Sequence, residues 1–114
     1  MATQSDLVSR VLQELNILVA GETPTAADDA VVDDGIAEVH AELQERRLAY
    51  WELSAIPEPV MRGLTLMVAG NVGRKFIPSM SVAECEQMRE IGMRRIREVI
   101  AMQNDHQATP HTYF

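Results

Sequence analysis

The segment Glu58–Lys75, EPVMRGLTLMVAGNVGRK, constrains this chain more than any other, because at helical spacing it is apolar almost all the way round. A helix of that kind cannot rest one face on a core and turn the other to water; it needs partners on every side. Pro57 and Pro59 suit its start, where a missing N–H costs nothing and the fixed φ is already helical. On a 3.6-residue wheel Met61, Leu64, Val68 and Val72 share one face, while Gly63, Gly70 and Gly73 cluster with Leu66 opposite. A glycine inside a helix costs about 1 kcal/mol relative to alanine. Their clustering therefore predicts close backbone approach, either to a neighbouring helix or to a neighbouring subunit.

Three further helices are legible around it. The first is predicted from Asp6 to Val19, with Ser5 as N-cap, Gly21 as the stop, and Leu7, Val11, Leu12, Leu15 and Leu18 in one stripe. The second runs from Ala26 to Arg47 after a Thr25/Asp28 capping box, with a narrow seam of Val32, Ile36, Val39 and Leu43 and an acidic remainder. Leu48–Ile56 has no helical period and carries Tyr50 and Trp51; it is read as an extended aromatic hinge or short strand. The last helix starts at Val82 behind a Ser81/Glu84 capping box and runs to Gln103. It presents Cys85, Met88, Ile91, Ile96, Val99 and Ile100 on one face and Glu90, Arg94 and Glu98 at i, i+4 spacing on the other. From Asn104 to Phe114 the pattern stops, and such a polar tail is expected to be disordered alone. The expectation is one all-α domain over residues 1–103, a small four-helix unit with an extended aromatic hinge, followed by a flexible tail over 104–114.

Composition narrows the function. With aromatics at only 4% of 114 residues, the core must come from Leu, Val, Ile, Met and Ala, a mix that favours helices. The net charge of −7 argues against tight binding to free DNA, which requires clustered cations to release counterions. The charge is also uneven: residues 1–57 hold three basic and eleven acidic side chains, and residues 58–114 hold seven and six. Opposed halves of this sort suit head-to-tail neighbours, although a solubilising acidic face explains them equally well. Cys85 is the single cysteine, so no internal disulfide forms. No apolar run approaches the roughly 20 residues of a membrane span, and MATQSDLVSR lacks a signal-peptide core. A cytoplasmic product is expected.

No chemical signature emerges. Asp28-Asp29 and Asp33-Asp34 are dense carboxylates, but taking Gly35 as the central glycine of a calcium loop puts Val32 and Ala30 where ligands belong. His40, His106 and His111 lack metal spacing, Cys85 has no CxxC partner, and the glycines lack phosphate-loop order. No enzyme, cofactor or metal is predicted. Arg46-Arg47 and Arg74-Lys75 close helices, where the macrodipole favours cations without any partner. The functional alternative for Arg74 and Lys75 is repeated presentation in an assembly, to acidic neighbours or to DNA. Tyr50 and Trp51 are candidate interface anchors, against the plain reading of a core tryptophan. Tyr113 and Phe114 are candidates for docking into a partner's groove, against an inert end.

The opening helix ending in LVAGETPTAAD, the acidic second helix, the YWELSAIPEPV segment and the helix end LMVAGNVGRKF together resemble the small head-to-tail connector (adaptor) proteins of tailed bacteriophages and gene transfer agents. The resemblance covers most of residues 5–100 and is architectural. It implies a virion component, assembled in the host cytoplasm, that forms a ring, a dodecamer, under the portal protein and joins the capsid to a tail or stopper protein. In that picture packaged DNA passes through the channel without sequence-specific binding, no membrane is involved, and the protein acts by geometry rather than catalysis. Tyr50, Trp51, Gly63, Gly70, Gly73, Arg74, Lys75, Tyr113 and Phe114 are the candidate contact residues. The alternative is a helical regulatory or antitoxin-like module that binds another protein, which the lack of a basic recognition helix disfavours.

Overall fold

In the computed structural model, which describes residues 1–108 and side chains as far as Gln103, the chain forms four helices and no strand among those residues. They are α1 (Gln4–Glu14), α2 (Ala26–Glu45), α3 (Glu58–Phe76) and α4 (Val82–Ala108). The all-α expectation holds. α3 lies in the middle and packs against each of the others; α1 and α2 also pack on one another, whereas among the described residues the backbone of α4 comes close to that of α3 only.

This arrangement explains why α3 is apolar all round. Its core face, Met61, Leu64, Val68 and Val72, closes on α1 and α2 in a cluster with Leu7, Leu12, Ile36 and Leu43. Its glycine face meets α4. A Cβ at Gly63 would lie 2.8 Å from the Gly92 carbonyl oxygen and 2.6 Å from Ile96 Cγ1, and one at Gly70 would lie 2.5 Å from the Cys85 carbonyl oxygen. Contacts near the start of α3 therefore meet the middle of α4, and those near its end meet the start of α4. The two helices run antiparallel with their backbones nearly touching. Gly73 faces the turn that joins them, where a Cβ would meet Met80 Sδ at 2.9 Å. The close approach that the glycines predict is therefore made to a neighbouring helix and its turn, with Gly63, Gly70 and Gly73 all taken up inside one protomer.

The ends of α1 differ from expectation for identifiable reasons. Thr3, not Ser5, is the N-cap: its hydroxyl accepts from the Asp6 N–H at 3.4 Å, and the Asp6 carboxylate accepts from the Thr3 N–H at 2.9 Å, closing a reciprocal box. The helix stops at Glu14, far short of Val19, because Asn16 adopts φ 60° and the Ile17 N–H donates to the Leu12 carbonyl at 2.9 Å. This is the Schellman arrangement, with Asn in the left-handed position that glycine usually takes. α2 ends the same way two residues before the expected Arg47. There Arg47 has φ 59° and the Leu48 N–H donates to the Leu43 carbonyl at 2.8 Å. Thr25 accepts from the Asp28 N–H at 3.2 Å and Ser81 from the Glu84 N–H at 3.0 Å, so both of those starts stand where expected.

Between α2 and α3 the chain is neither helix nor strand. It doubles back through the Ala55 N–H donating to the Glu52 carbonyl, and Ile56 exchanges backbone hydrogen bonds with Ala2 at 3.0 and 2.7 Å. At the other end, α4 continues to Ala108, past the Gln103 expected. Its 27 residues make a rod of about 40 Å beside the roughly 28 Å of α3, so it overhangs. The radius of gyration, 15.3 Å, reflects that overhang; a compact chain of this length gives about 13 Å.

The α3–α4 crossing yields a direct test. A methyl at position 92 would sit 2.5 Å from the Gly63 carbonyl oxygen and 2.7 Å from Met67 Cγ, and a backbone carbonyl cannot step aside. Gly92→Ala should destabilise the fold by about 1–3 kcal/mol through overpacking, despite alanine's better helix propensity. Urea denaturation of the two proteins measures the difference, and a more stable variant would refute the close crossing.

Candidate interaction surface

Among the described residues chemistry-bearing side chains do not converge. Among the described residues no group of three or more His, Cys, Asp or Glu side chains is placed to hold a metal ion. Cys85 is buried at the start of α4. His40 is buried against Trp51, ring centroids 6.3 Å apart, and its Nδ1 and Trp51 Nε1 have no hydrogen-bond partner among the described residues. None of the described helices is long and apolar enough to cross a membrane.

The expected contact residues are scattered. Trp51 is 6% exposed and belongs to the core; it is not an exposed anchor. Tyr50 is 55% exposed and stands edge-on to Trp51 with centroids 5.1 Å apart. Arg74 and Lys75 are exposed in the last turn of α3, where they complement the helix dipole. The loop bearing Tyr50 enters the opposite end of α3, so the two sets lie about 25 Å apart along the helix and form no common patch. Tyr113 and Phe114 lie outside the described residues.

What sequence reasoning missed is a groove between α2 and α4. Because α4 approaches only α3, its flank stands off from α2 and leaves an open trough of about 520 Å³. Met67 and Met93 line it, with Glu42 and Arg46 on the α2 side and both signs of charge on the α4 side, Glu86 and Glu90 beside Arg89, Arg94 and Arg97. The Glu42 carboxylate holds two of these arginines, Arg89 at 2.6 Å and Arg46 at 3.6 Å. The Arg89–Glu42 pair is about 70% shielded from solvent at both side chains, and it is the ionic tie between α4 and α2. Arg94 and Arg97 are exposed, and no ion pair among the described residues engages them. Glu90 and Glu98 are exposed as expected, but they do not close ion pairs with Arg94. The signal in the sequence was the spacing of Glu86, Arg89, Glu90, Met93, Arg94 and Arg97, which puts alternating charges around a methionine on one side of the last helix.

The opening turns of α2 carry the opposite charge. Asp28, Asp29, Asp33 and Asp34 face no cation within ion-pair distance among the described residues. Burial, and next the negative charge of Asp29, push the Asp33 carboxyl above the ordinary aspartate range, while a hydrogen bond donated by Gln4 Nε2 at 3.0 Å opposes them. At the start of α1 the reverse holds: hydrogen bonds from Thr3, backbone first, pull the Asp6 carboxyl below its ordinary range.

These observations fix two outcomes. Trp51→Ala, at a core position, should cost about 3–5 kcal/mol, seen as a large loss of melting temperature; an unchanged melt would return Trp51 to the surface. For Asp33, a raised folded-state value means that its stabilising contribution is complete below the unfolded value and is lost as pH rises through the folded one. Asp33→Asn keeps an acceptor for Gln4 and removes that loss. Its melting temperature should exceed that of the parent at pH 7, and the gap should close in acid below ordinary aspartate titration. A gap that persists or widens in acid would show that the carboxylate is not the cause.

Comparison with known proteins adds no identity: no protein-family profile, no curated protein and no solved structure matches this chain.

Proposed function

We propose that this chain is a structural assembly unit: a head-to-tail connector (adaptor) of a tailed phage or gene transfer agent. Copies form a ring under the portal that joins the DNA-filled capsid to the tail. The sequence patterns LVAGETPTAAD, YWELSAIPEPV and LMVAGNVGRKF support the reading. The structural observation that carries it is the state of α4. Among the described residues, a helix of 27 residues packs its backbone on a single neighbour, overhangs it, and leaves Met93, Val99 and Ile100 only half-buried and Met102 71% exposed. Apolar surface left open along a helix in this way supports a contact with another molecule.

The apolar, glycine-faced α3 does not require copies to associate, because α1, α2 and α4 enclose it within the protomer. The ring therefore rests on the outer flanks of α4 and α2. In this reading the partners are other copies of the chain, the portal protein above, and a tail or stopper protein below. Identical subunits in heterologous contact close when the rotation between neighbours divides a full turn. The acidic surface lets DNA pass without adhering. No catalytic group or cofactor takes part.

Mixing the purified chain with the portal of its own particle tests the proposal. Electron microscopy should show a ring seated on the portal. Free monomer beside bare portals would overturn it, and a dimer that binds operator DNA or a basic toxin would favour the regulatory alternative.

A further inference from the structure

Between the end of α2 and the start of α3 the chain is fastened at both ends and loosely held between them. At the first end the Leu48 and Ala49 N–H groups both donate to the Leu43 carbonyl, at 2.8 and 3.2 Å, where Arg47 turns the chain through φ 59°. At the second, Ile56 is fully buried and exchanges backbone hydrogen bonds with Ala2. From Tyr50 to Ala55 the backbone makes one hydrogen bond, Ala55 N–H to the Glu52 carbonyl at 3.1 Å, and it lies inside the segment. Among the described residues no hydrogen bond or ion pair ties Tyr50–Ala55 to a helix. A segment without such ties resists local opening through side-chain packing alone.

That packing centres on Trp51. Its side chain is buried and Leu53 is half-buried, while Tyr50, Glu52 and Ser54 are exposed. The indole lies against His40 of α2 and is met edge-on by Tyr50. One aspect of this contact is unfavourable. Trp51 Nε1 can only donate, His40 Nδ1 donates or accepts according to tautomer, and both are buried without a partner among the described residues. Buried polar atoms left unpaired are rare in folded chains and penalise the state that buries them. Here both belong to the contact that closes the segment, so the penalty falls on the closed form and is lifted once water reaches them.

We propose that Tyr50–Ala55 is a strap clasped by Trp51, which opens as a unit while the four helices stay folded and turns the indole to solvent beside Tyr50. The open form is a minor one, because closing still buries Trp51 in the core. Trp51 then has two states: a core side chain in the closed protein, and one half of an exposed aromatic pair in the open one. Such a pair is the kind of side chain that anchors contacts between proteins. The strap draws on the protomer alone and stands whether or not the chain is a connector.

Hydrogen exchange in the isotope-labelled full chain tests it, since the single indole N–H belongs to Trp51. That proton should exchange about a hundredfold or more faster than the Met67 and Val68 amides at the centre of α3. Its rate should be insensitive to low concentrations of urea, as a local opening requires, whereas the α3 amides wait for global unfolding and accelerate with urea. His40→Leu replaces an unpaired polar ring by an apolar side chain of similar size and should slow indole exchange about tenfold or more. An indole proton that keeps pace with the α3 amides, with the same urea dependence, overturns the proposal. So does a His40→Leu protein whose indole exchange is unchanged or faster, since the imidazole then plays no part in loosening the clasp. Circular dichroism shows whether the variant folds; should it not, the comparison of indole and α3 amides in the parent decides the matter.

Discussion

The backbone crossing of α3 and α4 is the contact on which the rest of this structure depends. Where Gly63 meets Gly92, and again where Gly70 meets the Cys85 carbonyl, the helices approach closer than any side chain allows. With no other helix behind it, α4 is held by this contact, by the fully buried Ile96, and by the Arg89–Glu42 pair. The glycines forgo helix propensity and gain a large area of close packing along one face of α3. That contact also leaves the opposite flank of α4 without a partner, so the stability of the protomer and the availability of its surface have one origin.

On its other side α3 closes a more ordinary core. Leu7, Leu12, Ile36, Leu43 and Ile56 are fully buried around it, and the rim is tied by polar contacts. Arg62 pairs with Glu14 at 2.6 Å and Arg10 with Glu58 at 3.2 Å, linking α1 to α3. Exposed pairs of this kind orient helices more than they stabilise them.

Much of this was legible in the sequence where a pattern has a single structural solution. Hydrophobic period and proline placement located α3 to within a residue, and Thr25 and Ser81 marked the starts of α2 and α4, because each signal was local. α1 was misread at both ends, where two residues competed for one role. Thr3 and Ser5 are both good caps, but only Thr3 has an acid three residues on; Asn16 took the left-handed position before Gly21 was reached. The end of α4 was misplaced because a polar stretch beyond the core carries no period to read. The glycines announced a close contact and not its owner: a protomer and a neighbour present the same kind of surface. The groove was hidden for a related reason, since it exists only where the fold brings α2 and α4 beside each other, which no local pattern specifies.

The position of Cys85 turns that arrangement into a built-in gauge. The chain's only thiol sits 7% exposed in the first turns of α4, with its own carbonyl facing Gly70. A reagent in solvent reaches the sulfur only when those turns lift from α3, so the rate of alkylation reports how often the seam unzips. A neighbour clamped over α4 slows that clock even where it never touches the cysteine.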